Sequence, residues 1–298
     1  MRKYNVHVLG CGHSVALPLH FLATHPLVGM ITVESRTEAR ARAVVDDLAQ
    51  SRSGSSSDTR VAALREVDPH IVIVAYGRTI RPGEERSALF ADNVAGILQR
   101  FEDVNLHDPL VIVVTNPVDA ITDVLRRHLS LPAGRIVGVG GDLDAARIRW
   151  AMSPPPDGVL TLGEHSEAAA FLADGTPLES IDVDRAVRER VRASLGNQLA
   201  QLGAPTFCPG MAIVRILDTI LGGQERMVQV SSYQDAFGTS VTWPTWMTRE
   251  GGVQVRLDLP PEVVAAVTRI ATKNRRLVET IFPDGDRAVP RMAPAAIA

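Results

Sequence analysis

Short apolar runs alternate with longer amphipathic stretches through the first half of the chain, and the two periodicities predict strands and helices in turn. Strand-like runs cover Val6 to Leu9, Gly29 to Val33, Ile71 to Ala75, Leu110 to Thr115 and Ile136 to Val139. Helical spacing covers Ser14 to Thr24, Thr37 to Gln50, about Glu85 to Phe101 and about Asp119 to His128. Brief apolar strands separated by longer helices imply an α/β fold with a parallel sheet covered on both faces.

The rhythm ends near Gly140-Gly141, which predicts a sheet domain over residues 1–141 and a second, mixed α+β domain over 142–298. The second part reads as a helix from about Asp144 to Met152, the loop Pro154-Pro155-Pro156 and a helix from about Asp184 to Leu202. An apolar segment from Met211 to Leu221 follows, then strands at Met227 to Ser232 and Gly252 to Leu257 and a last helix from about Glu262 to Ile281. The polar run from Ser51 to Asp58 interrupts the pattern as a surface loop, and the Pro- and Ala-rich tail from Phe282 to Ala298 is expected to pack loosely.

Composition narrows the class. A chain of 298 residues with 45% hydrophobic content buries a continuous core and is neither disordered nor fibrous. A formal net charge of -3 leaves no global positive field for nucleic acid, so any anion site is local. Two cysteines, Cys11 and Cys208, supply no disulfide scaffold and no metal-ligand spacing, which points to a reducing cytoplasm. No export segment or membrane span is expected.

Gly10-Cys11-Gly12-His13-Ser14 lies between the first strand and the first helix, the context a dinucleotide-binding turn needs. Gly10 permits a tight turn, Gly12 permits close approach of a pyrophosphate, and N–H groups at His13 and Ser14 open the helix toward its charge. Val15 stands where a small residue is usual. Glu34, ending the second strand, is placed to accept hydrogen bonds from ribose hydroxyls and so favours NAD over NADP, although Ser35 and Arg36 beside it could contact a phosphate.

Two charged clusters carry the candidate chemistry: Gly141-Asp142-Leu143-Asp144-Ala145-Ala146-Arg147 and Gly163-Glu164-His165-Ser166-Glu167. Asp144 and Arg147 share a helix face, so the carboxylate can orient His165 while the guanidinium grips a small anionic substrate. Asn116 follows a buried parallel strand, where binding residues collect.

These pieces, taken with Pro82-Gly83-Glu84-Glu85-Arg86, Asn93 and Asn116-Pro117-Val118-Asp119, resemble the lactate/malate dehydrogenase family over most of the chain. The resemblance implies a Rossmann-type N-terminal domain, NAD as cofactor and a homodimer or homotetramer. By the same resemblance His165 is the proton donor and acceptor, Asp144 its partner and Arg147 the carboxylate clamp. Arg86 polarises the carbonyl, Asn116 meets the reacting oxygen and nicotinamide, and Asn93 belongs to the cofactor site. The chain departs from its relatives at Ile80, where malate enzymes offer an Arg and lactate enzymes usually a Gln. An isoleucine cannot pair with a second carboxylate, and with Ala204-Pro205 it implies an apolar or enlarged recess and a specialised 2-hydroxy or 2-keto acid. Two alternatives stay open: a malate dehydrogenase that recruits Arg81 or Arg78, and a dinucleotide-binding regulator without catalysis.

Overall fold

The computed structural model describes residues 3–51, 57–78, 86–166, 168–180 and 184–283, the side chains of 86, 87 and 180 excepted. Six parallel strands form its centre: β1 (Tyr4–Leu9), β2 (Val28–Glu34), β3 (Asp58–Val61), β4 (Ile71–Val74), β5 (Leu110–Val113) and β6 (Ile136–Val139). Their order across the sheet is β3-β2-β1-β4-β5-β6, the doubly wound order in which the switch point lies between β1 and β4.

Alternation within each strand sorts the core into two faces. Val6, Val8, Ile31, Val33, Ile71, Ile73 and Ile112 pack against α1 (Ala16–Thr24) and α7 (Phe207–Gly222). The neighbouring positions Val72, Val74, Val111 and Val113 pack against α3 (Arg86–Arg100), α4 (Val118–Leu129) and α8 (Pro261–Glu279), through Phe90, Ile97, Ile121 and Val278. A strand buried on both faces must be apolar throughout, and β4 and β5 are.

The sheet does not stop at the end of β6. Three antiparallel strands, β10 (Arg226–Gln234), β11 (Thr239–Thr248) and β12 (Gly251–Gln254), extend it, with β10 pairing to β6 through Val230 and Val139. A smaller sheet of β7 (Val159–Leu162), β8 (Ala170–Ala173) and β9 (Thr176–Pro177) packs beside it, and the remaining helices are α2 (Glu38–Gln50), α5 (Gly141–Ala151) and α6 (Asp184–Leu202).

The predicted elements of the first half appear within a few residues of their expected ends. The first helix is the exception: a short 3-10 turn spans His13–Val15 and regular helix begins at Ala16, followed by Pro18 in its first turn, where the missing N–H is tolerated. In the second half the apolar segment at Met211 is the interior of α7, and the expected strand from Gly252 to Leu257 is the shorter β12. The strands β3, β7, β8, β9 and β11 are additions to the predicted set. Phe282, expected in a loose tail, is instead buried against α3 and α4 in the second core. Among the described residues no single helix is long and apolar enough to cross a membrane; α6 and α7 pass that test only as a pair, bent by 99°.

Phe90 is among the largest fully buried side chains and anchors α3 to the sheet. Phe90→Ala is expected to lower the free energy of unfolding by about 3–5 kcal/mol, read from urea denaturation followed by circular dichroism.

Candidate active site

Four elements deliver side chains to one point beside the end of β6. Gly140 and Gly141 turn the chain from β6 directly into α5, so that Asp144 lies in the first turn of that helix. The helix is held from two sides: the Gln229 N–H of β10 donates to Asp142 Oδ1 at 2.9 Å, and the Thr161 hydroxyl of β7 donates to the Gly141 carbonyl at 3.1 Å. His165 follows β7, whose end is pinned by paired backbone bonds between Gly163 and Thr242 of β11 at 3.0 and 2.8 Å.

There His165 Nδ1 lies 2.6 Å from Asp144 Oδ2, and Arg147 Nη1 lies 3.1 Å from Asp144 Oδ1. All three side chains are largely withdrawn from solvent. Burial works against an imidazolium, but the charge and hydrogen bond of Asp144 outweigh it, and the His165 pKa stands above the ordinary histidine range. The neighbouring turn at the start of α7 is close enough that Arg147 and Asp144 act on Cys208; burial pushes that thiol up, Arg147 opposes and Asp144 adds. Ala204 and Pro205, half-buried, lie in the same turn.

Two further residues complete the support in roles not read from the sequence, where Asp119 stood only within the motif Asn116-Pro117-Val118-Asp119 and Gly140 only at the domain boundary. Asp119, in the first turn of α4, accepts the His165 backbone N–H at 2.8 Å and the Thr242 hydroxyl at 3.2 Å. Burial pushes its carboxyl up, with the His165 amide pulling the other way. An acid inside the otherwise apolar Val118-Asp119-Ala120-Ile121 was the available signal. Gly140 matters through space: a Cβ there would lie 2.6 Å from His165 Cβ and Cγ, so only glycine lets the imidazole rest against this backbone.

The glycine turn has the shape a dinucleotide needs. Gly10 has φ +97°, and a Cβ on it would lie 2.2 Å from the Ala75 carbonyl oxygen, which demands glycine. A Cβ at Gly12 would meet nothing within 4 Å, so open space adjoins the turn where a pyrophosphate fits. His13 is exposed, Ser14 is half-buried, and Val15 is buried among residues of the first core. Asn116 is exposed beyond β5, while Asn93 is buried behind it. The Asn93 amide donates to the Asn116 carbonyl at 2.8 Å and its Oδ1 accepts the Arg78 N–H at 2.9 Å, joining the loops after β4 and β5. Its polar atoms therefore shape those loops from within. Glu34 turns inward, its Oε2 accepting the Leu64 N–H at 2.8 Å and its Oε1 lying 3.0 Å from Arg100 Nε. Ile80, Arg81 and the side chain of Arg86 lie outside the described residues.

The profile of the lactate/malate dehydrogenase NAD-binding domain matches residues 4–138. The malate dehydrogenase of Symbiobacterium thermophilum is 27% identical, covering 94% of this chain and 98% of its own. The chain is thus similar to the lactate/malate dehydrogenase family over nearly its whole length. The L-lactate dehydrogenase of Fervidobacterium nodosum is 25% identical, covering 85% of this chain and 91% of its own. The malate dehydrogenase of Archaeoglobus fulgidus, solved with NADH, shares the fold at a TM-score of 0.78 and 21% identity, covering 93% of this chain and 99% of its own. Both activities thus occur among the relatives this chain matches, and overall similarity does not divide them.

Asp119→Ala leaves the His165 N–H and the Thr242 hydroxyl without their acceptor. The variant is expected to lose about 1–3 kcal/mol of stability, read as a lower urea midpoint with an unchanged slope.

Proposed function

We propose that this NAD-dependent 2-hydroxy acid dehydrogenase serves a specialised substrate, a 2-keto or 2-hydroxy acid with an apolar or unusually shaped side chain. The observation that carries the chemistry is the buried chain of contacts from Arg147 through Asp144 to His165. Residues 1–141 hold the cofactor and 142–298 the acid. When bound, NAD supplies the hydride-carrying nicotinamide.

With its Nδ1–H donated to Asp144, His165 exchanges a proton with the substrate oxygen at Nε2. Charged, it gives that proton as a carbonyl is reduced; neutral, it takes one from a hydroxyl. Asp144 fixes the tautomer and stabilises the imidazolium, the role its hydrogen bond supports. Arg147 offers the rest of its planar fork to the substrate carboxylate, while one nitrogen holds Asp144. Arg86, at the start of α3, supplies positive charge to the developing oxyanion by its family position. Asn116 reaches the same oxygen from the end of β5.

The substrate class follows from Ile80. A second carboxylate buried beside it without a partner costs several kcal/mol, on the order of what desolvation of an unpaired charge demands. Arg78 is paired with Asp92, with Nη2 at 2.6 Å and Nε at 3.0 Å from Oδ2, which favours Arg81 over Arg78 as the partner a malate dehydrogenase would recruit. The working assembly is proposed to be a homodimer or homotetramer, with the exposed Leu199, Leu202, Phe207 and Met211 as apolar surface for it to cover.

His165→Asn is expected to keep cooperative unfolding and NADH affinity while turnover falls by about 100-fold or more; retained turnover would remove His165 from the mechanism. The substrate reading is tested by NADH oxidation across pyruvate, oxaloacetate and longer or branched 2-keto acids. An apolar 2-keto acid should be preferred, with oxaloacetate turnover gained in Ile80→Arg. Oxaloacetate as the best substrate of the unaltered enzyme would contradict the apolar recess.

A further inference from the structure

An acid ending the second strand selects NAD when its carboxylate is free to hold the ribose hydroxyls and to repel a 2′-phosphate. The Glu34 carboxylate is not free in that sense. Arg100 Nε lies 3.0 Å from Oε1, the Leu64 N–H donates to Oε2 at 2.8 Å, and His7 Nε2 lies 3.7 Å from Oε2. The side chain is only 13% exposed. Arg100 is itself braced, with Nη2 3.3 Å from the Tyr76 hydroxyl and its guanidinium 5.3 Å from the centre of the Tyr76 ring. The negative charge that would exclude a phosphate is thus paired with a cation fixed on α3.

Cations occupy the outer side. Ser35 and Arg36 follow Glu34 directly, and Arg36 is exposed. Arg40, also exposed, lies four residues on in the first turns of α2, and its Nη2 is 3.5 Å from the Cys11 carbonyl oxygen of the glycine turn. That contact puts a guanidinium at the cofactor turn. Glu38, two residues from each in sequence, is paired with Arg42 at 2.6 Å. Neither Arg36 nor Arg40 forms an ion pair among the described residues.

We infer that this cleft also takes the 2′-phosphorylated dinucleotide, with Arg36 and Arg40 receiving the phosphate and Arg100 cancelling the charge of Glu34. The inference rests on the glycine turn binding a dinucleotide at all. Guanidinium forks match phosphate geometry, and the attraction falls with salt because both arginines face solvent.

Fluorescence titration of the purified protein with NADH and with NADPH tests it without turnover. The expected result is NADPH affinity within about tenfold of that for NADH, with added salt weakening NADPH more. Arg36→Ala/Arg40→Ala should lower the NADPH-to-NADH affinity ratio at least about tenfold, and Arg100→Gln, which unmasks Glu34, should lower it as well. Arg36→Ala alone, at an exposed position before α2, serves if the double variant loses cooperative unfolding. NADPH binding more than about tenfold weaker than NADH, or a ratio unmoved by the arginine substitutions, would overturn the inference. Binding of neither dinucleotide would overturn the cofactor assignment itself, a result distinct from tight NADH with no NADPH.

Discussion

The short bond between His165 and Asp144 is the interaction around which the second half of the molecule is arranged. An imidazole taken out of water loses its proton more readily, and a lone buried carboxylate is costly to keep charged. Placed 2.6 Å apart, each relieves the other. The pair works only if two segments that begin in different layers meet within a few tenths of an ångström. Much of the surrounding structure serves that alignment: Asp119 and Thr242 hold the backbone of the His165 loop, Asp142 and Thr161 hold α5, and Gly140 leaves room for the ring.

The continuous sheet makes such alignment possible. Because β10 pairs with β6, the frame that carries the glycine turn and Asn116 also carries, through β11, the loop of the histidine. Loops at the carboxyl ends of β1, β4 and β5 are joined among themselves as well, Asn93 linking the last two and the tight approach of Gly10 to Ala75 linking the first two. A cofactor in one half and an acid in the other would therefore be held in fixed relation.

Much of this was legible in the sequence where the signal was local. Apolar runs bounded by turns marked the five inner strands, and the spacing of Asp144 and Arg147 placed both on one helical face. β11 was not legible because Thr239–Thr248 mixes Thr, Ser, Pro and Trp; its interior hydroxyls are accepted by buried carboxylates such as Asp119 and Asp123, partners distant in sequence. β7 and β8 are no shorter than β4 or β5, but Thr161 interrupts the first and alanines end the second, which weakens the β-branched apolar signal that marked the inner strands. Glu34 illustrates the deeper limit. Its position at the strand end could be read, but its pairing with Arg100, far along the chain, could not, and that pairing changes what the carboxylate can discriminate.

The central claim is that Asp144 holds His165 as a ready proton carrier, and the most direct measurement is the NMR titration of the His165 imidazole in the ligand-free protein, before and after Asp144→Asn. The account predicts a pKa above the ordinary histidine range in the unaltered chain. It predicts a marked fall in the variant, where burial and Arg147 act unopposed by the lost carboxylate charge. A His165 titration that is the same in both proteins, or that already lies below the ordinary range with Asp144 present, would contradict it.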